Sequence, residues 1–176
     1  MTPSTTATLD TPDGRFAVVV RDGVVLASGW TDHAGDLVAL VHPTLRPHDD
    51  LDEVDAQDER VRAAVDAVTA YYDGDLTAPG AVPVQQVSGE FRMRAWDALR
   101  LVPAGERVTY AQYAQRAGSP LAVRAAAGAC AMNAAALFVP CHRIVRTDGG
   151  LGGFRYGLPV KRSLLEREAT PADGLF

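Results

Sequence analysis

Cysteine is scarce in this chain: Cys130 and Cys141 are the only two among 176 residues. Two thiols build no disulfide framework, and neither lies in a CxxC or Cys/His ligand spacing, so no structural zinc is expected. Lysine is scarcer still, with Lys161 alone while arginine carries the rest of the positive charge. No apolar stretch approaches the roughly 20 residues of a membrane span. The start Met1-Thr2-Pro3-Ser4-Thr5-Thr6 has neither the basic beginning nor the apolar middle of a secretory signal. A cytoplasmic protein without internal repeats or long low-complexity tracts is the expectation.

With 47% hydrophobic and 22% charged residues, the chain has the material for a packed core in one large or two small domains. The net charge of −5 speaks against a polyanion partner only until it is divided. Residues 1–90 hold 16 acidic and 5 basic side chains, whereas residues 91–176 hold 6 acidic and 12 basic ones. Polyanion binding therefore belongs to the second half. Arginine suits it, because a guanidinium makes bidentate contacts with phosphate.

Asp13-Gly14 and Asp22-Gly23 separate β-rich runs at Thr5 to Leu9, Phe16 to Val20 and Val24 to Trp30, which predicts an antiparallel meander. The acidic stretch His48 to Glu59 reads as a solvated loop. It leads into a helix carrying Val61, Val65, Val68 and Tyr72 on its core face and stopped by Gly74. Residues 75–87 read as an extended linker, placing a domain boundary near Ser88. A helix is expected from Phe91 to Val102, with Phe91, Ala95, Leu99 and Val102 on one face and Trp96 packed beside them. Thr109-Tyr110-Ala111-Gln112 is a capping-box pattern, and Gly118 suits the left-handed stop. Ser119 and Pro120 then read as cap and first residue of a helix running to Met132, so the pair forms a helix-turn-helix. A last helix is expected from Val160 to Glu168.

That second helix is almost without side-chain bulk: Ala122, Ala125, Ala126, Ala127, Gly128, Ala129 and Ala131 let its backbone approach another surface closely, and Arg124 is its lone cation. Tight packing against a neighbouring helix explains the composition equally well without Arg124. Leu137-Phe138-Val139 reads as a buried strand ending at Pro140-Cys141-His142-Arg143. A cysteine beside a histidine and an arginine has neighbours that favour thiolate over thiol, against a free pKa of about 8.5. Cys130 reads as a packing residue.

In order and spacing, Gly105-Glu106-Arg107-Val108-Thr109-Tyr110, Ala122-Val123-Arg124-Ala125, Asn133, Pro140-Cys141-His142-Arg143-Ile144, Gly149-Gly150-Leu151-Gly152 and Lys161 to Glu168 resemble the O6-alkylguanine-DNA alkyltransferases. These are repair proteins that move an alkyl group from a damaged base onto their own cysteine. The resemblance implies an α+β fold. A small N-terminal domain of antiparallel sheet and helix, ribonuclease H-like in that family, would occupy residues 1–88. A mainly helical domain with the helix-turn-helix and the Pro-Cys-His-Arg segment would occupy residues 89–176.

It also implies roles. Cys141 would be the nucleophile, His142 its base through a bridging water, Glu168 the orienter of His142, and Asn133 a residue holding backbone groups beside the site. Arg124, Ala125 and Gly128 would present the helix to the minor groove, with Arg124 filling the space of the extruded nucleotide. Tyr110 would act on the target phosphate and on guanine N3. Tyr110, Phe154, Arg155 and Tyr156 would border the guanine pocket. The partner would be double-stranded DNA containing O6-alkylguanine, the protein a monomer in solution, and the transfer irreversible, with no cofactor or metal. Some members carry zinc in the N-terminal half, but here that half has only His33, His42 and His48 and no cysteine.

Four positions depart from the family pattern: Ala134 in place of proline, Phe154 in place of tyrosine, and Arg155 and Tyr156 where small residues border the pocket. They bear on adduct range. The first rival reading is a lesion-binding alkyltransferase-like module without efficient transfer, which Cys141 opposes. The second is a turning-over cysteine hydrolase, which the basic second half opposes.

Overall fold

The structure, a computed structural model, describes residues 2–169. Residues 170–176, assigned from the sequence to the C-terminal domain, lie outside the described residues, as does Met1. The chain forms two compact units. One takes the described residues up to Ser88 together with Ala134–Val139; the other takes Gly89–Asn133 and the described residues from Pro140 onward.

The first unit is built on a sheet of strands β1 (Thr5–Thr11), β2 (Gly14–Arg21), β3 (Val24–Gly29) and β4 (Asp52–Glu53), in the order β3-β2-β1-β4. The expected meander is present: β1–β2 and β2–β3 pair antiparallel. Asp22 and Gly23 close the second hairpin with φ of 52° and 77°, the doubly left-handed geometry that suits the twist of the flanking strands. Phe16–Val20 and Val25–Gly29 are buried at every position, so both faces of the sheet are covered there. The short helix α1 (Ala34–Val38) packs against β2 and β3, and α2 (Arg62–Tyr72) against β1 and β2.

Four details differ from expectation in this unit. The acidic loop contains β4, a two-residue exposed strand parallel to β1, which no hydrophobic pattern signals. On α2 the fully buried aromatic is Tyr71, while Tyr72 is partly exposed and holds Trp30 Nε1 and Asp13 Oδ2 at 3.1 and 2.7 Å. Residues 75–87 are not simply a linker. They form a 3-10 turn (Ala78–Ala81) and then pair with β3, Val25 N donating to Pro83 O and Gln85 N to Val25 O. The fourth is the run expected as a strand at Leu137-Phe138-Val139. It is a buried tight turn, with Val139 N donating to Ala135 O and Leu137 at a φ of 75°. Ser28 on β3 takes the residues just before it, donating from N to Ala134 O and from Oγ to Ala136 O. A short apolar run signals burial and does not distinguish a strand from a buried turn.

The second unit packs α3 (Glu90–Arg100), α4 (Tyr110–Arg116), α5 (Val123–Ala131) and α6 (Leu158–Glu168) with a two-stranded parallel pair, β5 (Val108–Thr109) and β6 (Ile144–Val145). Ala95, Trp96 and Leu99 of α3 are buried. Two polar atoms tie the neighbouring helices to them: Tyr113 Oη donates to Ala95 O at 2.8 Å, and Trp96 Nε1 to Ala129 O at 2.9 Å. The capping box is formed in both directions, Gln112 N to Thr109 Oγ1 at 3.1 Å and Thr109 N to Gln112 Oε1 at 3.0 Å. Gly118, at a φ of 93°, ends α4 with paired bonds from Ser119 N to Ala114 O and from Gly118 N to Gln115 O.

The next helix starts later than expected. Ser119 and Pro120 belong to a turn closed by Ala122 N to Ser119 O, Leu121 is exposed, and Ala122 rather than Ser119 precedes the first residue of α5. Proline serves the second position of a turn as readily as the first of a helix, because both need the same φ.

Candidate active site

The parallel pairing of Val108 with Ile144 and Thr109 with Val145 brings two chain segments of the second unit together. Tyr110 opens α4 directly after β5, and Cys141 opens a 3-10 turn (Cys141–Arg143) directly before β6. Cys141 is thus not at the end of a strand, though it is buried as expected. All three consecutive residues of the 3-10 turn are buried.

Asn133, just beyond α5 and buried, hydrogen-bonds the Cys141 thiol through its side chain. Burial pushes the thiol up, while the Asn133 hydrogen bond and the positive charges of Lys161 and Arg155 pull it down; the net direction is up, so Cys141 rests as the thiol. This corrects the expectation that His142 and Arg143 favour the thiolate. Arg143 is turned away: its Nε and Nη2 reach Glu168 Oε1 and Oε2 at 2.8 and 3.1 Å, and its Nη1 reaches Val102 O at 2.7 Å.

His142 is buried, and its Nε2 lies 2.7 Å from Glu168 Oε2. Burial holds the imidazole below its ordinary value, outweighing the neighbouring carboxylate. Burial pushes the Glu168 carboxyl up, but the charges and hydrogen bonds of His142 and Arg143 bring it down to about 2. The resting pair is neutral imidazole and carboxylate. Nε2 therefore carries the proton donated to Glu168, and Nδ1 presents its lone pair. Nδ1 is buried without a hydrogen-bond partner among the described residues.

Lys161 is the second basic residue that is not part of a solvated basic face. It is 1% exposed, and its Nζ donates to Ile144 O at 2.7 Å and Gly153 O at 3.2 Å. Sequence reasoning assigned no site role to Lys161, and placed Arg143 only beside the thiol, not on Glu168. The available signal was one lysine in a chain that otherwise uses arginine. Cys130, on α5, is also pushed up by burial.

Arg124 and Ala125 are exposed near the start of α5, and Arg124 makes no hydrogen bond or ion pair among the described residues. Gly128 follows one turn later, with the Arg92 guanidinium of α3 against it. Burial raises Tyr110 to about 12, so its phenol remains a donor. On the loop before α6, Phe154 and Tyr156 meet edge to face with ring centroids 5.6 Å apart, both partly buried. Arg155 between them is exposed and donates to Ala131 O at the end of α5. Among the described residues no group of three or more His, Cys, Asp or Glu side chains could hold a metal ion, and no helix is long and apolar enough to cross a membrane.

Residues 90–170 match the family model described as "6-O-methylguanine DNA methyltransferase, DNA binding domain". The chain is 48% identical over 91 residues to the bifunctional transcriptional activator/DNA repair enzyme Ada of Escherichia coli, covering 52% of this chain and 26% of that protein. It is 40% identical over 112 residues to the methylated-DNA–protein-cysteine methyltransferase of Mycobacterium bovis, covering 62% of this chain and 67% of that one. The fold superposes on Mycobacterium tuberculosis OGT in complex with DNA with a TM-score of 0.73, at 30% identity, covering 96% of each chain. With the buried thiol, the His142–Glu168 pair and the two-helix unit in place, these likenesses lead to one conclusion: the chain belongs to the O6-methylguanine-DNA methyltransferase family.

Proposed function

We propose that the protein repairs DNA by transferring an alkyl group from guanine O6 to Cys141, irreversibly and once per molecule. The observation that carries this reading is a buried thiol held by Asn133 in the same turn as a histidine whose tautomer Glu168 sets. Nδ1 of His142 takes the thiol proton through a bridging water. Sulfur then attacks the alkyl carbon, the S–C bond forms as the C–O6 bond breaks, and the electron pair leaves with guanine, as its anion or as the neutral base if O6 is protonated during transfer. Because the thiol rests protonated, the nucleophile is generated only when its proton is removed. Glu168 stays ionised through Arg143, so it stabilises the imidazolium without taking the proton.

An alkylated atom inside a duplex does not reach a buried sulfur, so the nucleotide has to leave the stack. Arg124, Ala125 and Gly128 of α5 meet the minor groove, and Arg124 occupies the vacated space. Tyr110, Phe154, Arg155 and Tyr156 border the extruded base. In this reading residues 1–88, joined by the segment Ala134–Val139, form an α+β domain, and the rest of 89–176 forms the DNA-binding and transfer domain. The protein works as a cytoplasmic monomer without cofactor or metal.

The test is intact-protein mass spectrometry after incubation with methylated and unmethylated duplexes. One methyl group per protein, gained only from the methylated duplex, is the expected result. Lesion binding with no mass change would leave a recognition module in its place.

A further inference from the structure

Residues 150–153 of the glycine-rich turn line a cleft of about 480 Å³ together with Tyr110 of α4 and Leu158 and Arg162 of α6. Arg146 closes the cleft from the end of β6. Its main chain fastens the turn, Arg146 N donating to Gly150 O at 2.9 Å and Gly149 N to Arg146 O at 3.1 Å. Leu151 is the one side chain on the turn beyond a hydrogen, and glycine at 150 and 152 is a condition of the cleft. A Cβ on Gly152, where φ is 77°, would stand 3.1 Å from the Tyr110 ring and hydroxyl and 3.4 Å from Arg146 Cγ. A Cβ on Gly150 would meet Asp148 Oδ1 at 3.1 Å and Arg146 Cδ at 3.4 Å. Glycine thus lets the phenol, the Arg146 stem and the backbone share one small space.

Two arginines, Arg146 and Arg162, line this space. Arg162 is exposed and makes no ion pair or hydrogen bond among the described residues, and Arg146 pairs with Asp148 at 2.7 Å, both of the latter more than half exposed. An exposed pair of this kind is weak and is readily exchanged for a stronger anion. Neither arginine belongs to α5, so neither is part of the surface proposed to enter the groove.

We infer that Arg146 and Arg162 hold a phosphodiester flanking the extruded nucleotide, in the cleft beside Tyr110. A nucleotide that rotates out of a duplex takes its backbone phosphates with it, and a cation pair beside the pocket holds them there. Asp148 keeps Arg146 in place while the cleft is empty and gives it up to the phosphate. The inference rests on the alkyl-transfer reading and adds to it a subsite for the sugar-phosphate.

The test compares rates of Cys141 methylation by O6-methyl-2′-deoxyguanosine and by its 3′,5′-bisphosphate. In the wild type the bisphosphate reacts faster. Arg162→Ala and Arg146→Ala should each lower the bisphosphate-to-nucleoside ratio about tenfold, the scale of one lost charge-assisted hydrogen bond. Arg162→Lys should keep most of the ratio and Asp148→Asn should raise it, with thermal melts confirming the fold of each variant. A ratio unmoved by both alanine variants overturns the subsite. So does inorganic phosphate competing as well as the bisphosphate, since the cleft would then be a general anion site. A wild type that gains no methyl group even from a methylated duplex would instead remove the transfer reading beneath it.

Discussion

His142 Nε2 and Glu168 Oε2 stand 2.7 Å apart in the interior, each side chain 1% exposed, and the same carboxylate is clasped by Arg143. Consecutive residues thus grip one anion from two directions. Arg143 keeps Glu168 charged, Glu168 keeps the proton on Nε2, and the lone pair on Nδ1 follows from both. Glu168→Gln should leave a buried guanidinium without its counter-charge and cost about 3–5 kcal/mol, measured by denaturant unfolding. Transfer should slow as well, because the amide also accepts from Nε2 but stabilises an imidazolium far less. Unchanged stability would mean that Arg143 finds another partner.

The same pair sets an acid limit. Glu168 is held at about 2 against an ordinary 4.5, so its stabilisation is complete above 4.5 and is lost as pH falls toward 2. His142 is held below its ordinary 6.5, so below 6.5 the unfolded chain takes up a proton that the folded chain refuses, and stability falls there too. The melting temperature should therefore begin to fall below about pH 6.5 and fall more steeply below 4.5. Glu168→Gln should flatten the lower part. A melting temperature that rises between pH 6.5 and 4.5 would contradict the direction for His142, and one that rises below 4.5 the direction for Glu168.

Cys141→Ser should abolish transfer while lesion binding persists, because the hydroxyl is nearly the same size and a far weaker nucleophile. Peptide mapping of the wild type after reaction should place the alkyl group on Cys141. Its appearance on Cys130, which is likewise pushed up by burial, would reassign the acceptor.

Arg124→Ala should slow repair of a methylated duplex much more than methylation by free O6-methylguanine, since only the duplex has an extruded state to hold open. Side-by-side rates decide the matter. Equal slowing on both substrates would place Arg124 in the chemistry or the fold.

Tyr156 should crowd a bulky O6 substituent more than a methyl group, so the wild type should react poorly with O6-benzylguanine and Tyr156→Gly should restore that reaction. The ring packs on Phe154 at 5.6 Å, so the substitution also gives up an aromatic contact of about 0.5–1.5 kcal/mol and a melt has to accompany the rates. The ratio of benzyl to methyl second-order rates is the readout. A ratio that does not move means that the ring points away from the base.

The features legible in the sequence were those closed within a few residues. Thr109, Gln112 and Gly118 make their bonds with neighbours three to five positions away, so local spacing is enough to specify them. Asp22-Gly23 likewise closes its hairpin, and the Cys-His-Arg segment with its distant Glu168 was readable only through likeness to a family. Tertiary structure decided where side chains point and which backbone groups pair at long range. The apolar run before Cys141 became a turn because Ser28 captures Ala134 and Ala136 from a distant strand. Arg143 and Lys161, which charge counting places among the basic residues of the second half, turned inward because a buried carboxylate and buried carbonyls awaited them. Composition counts charges, but burial decides which of them meet solvent, and burial is settled only when segments far apart in the chain come together.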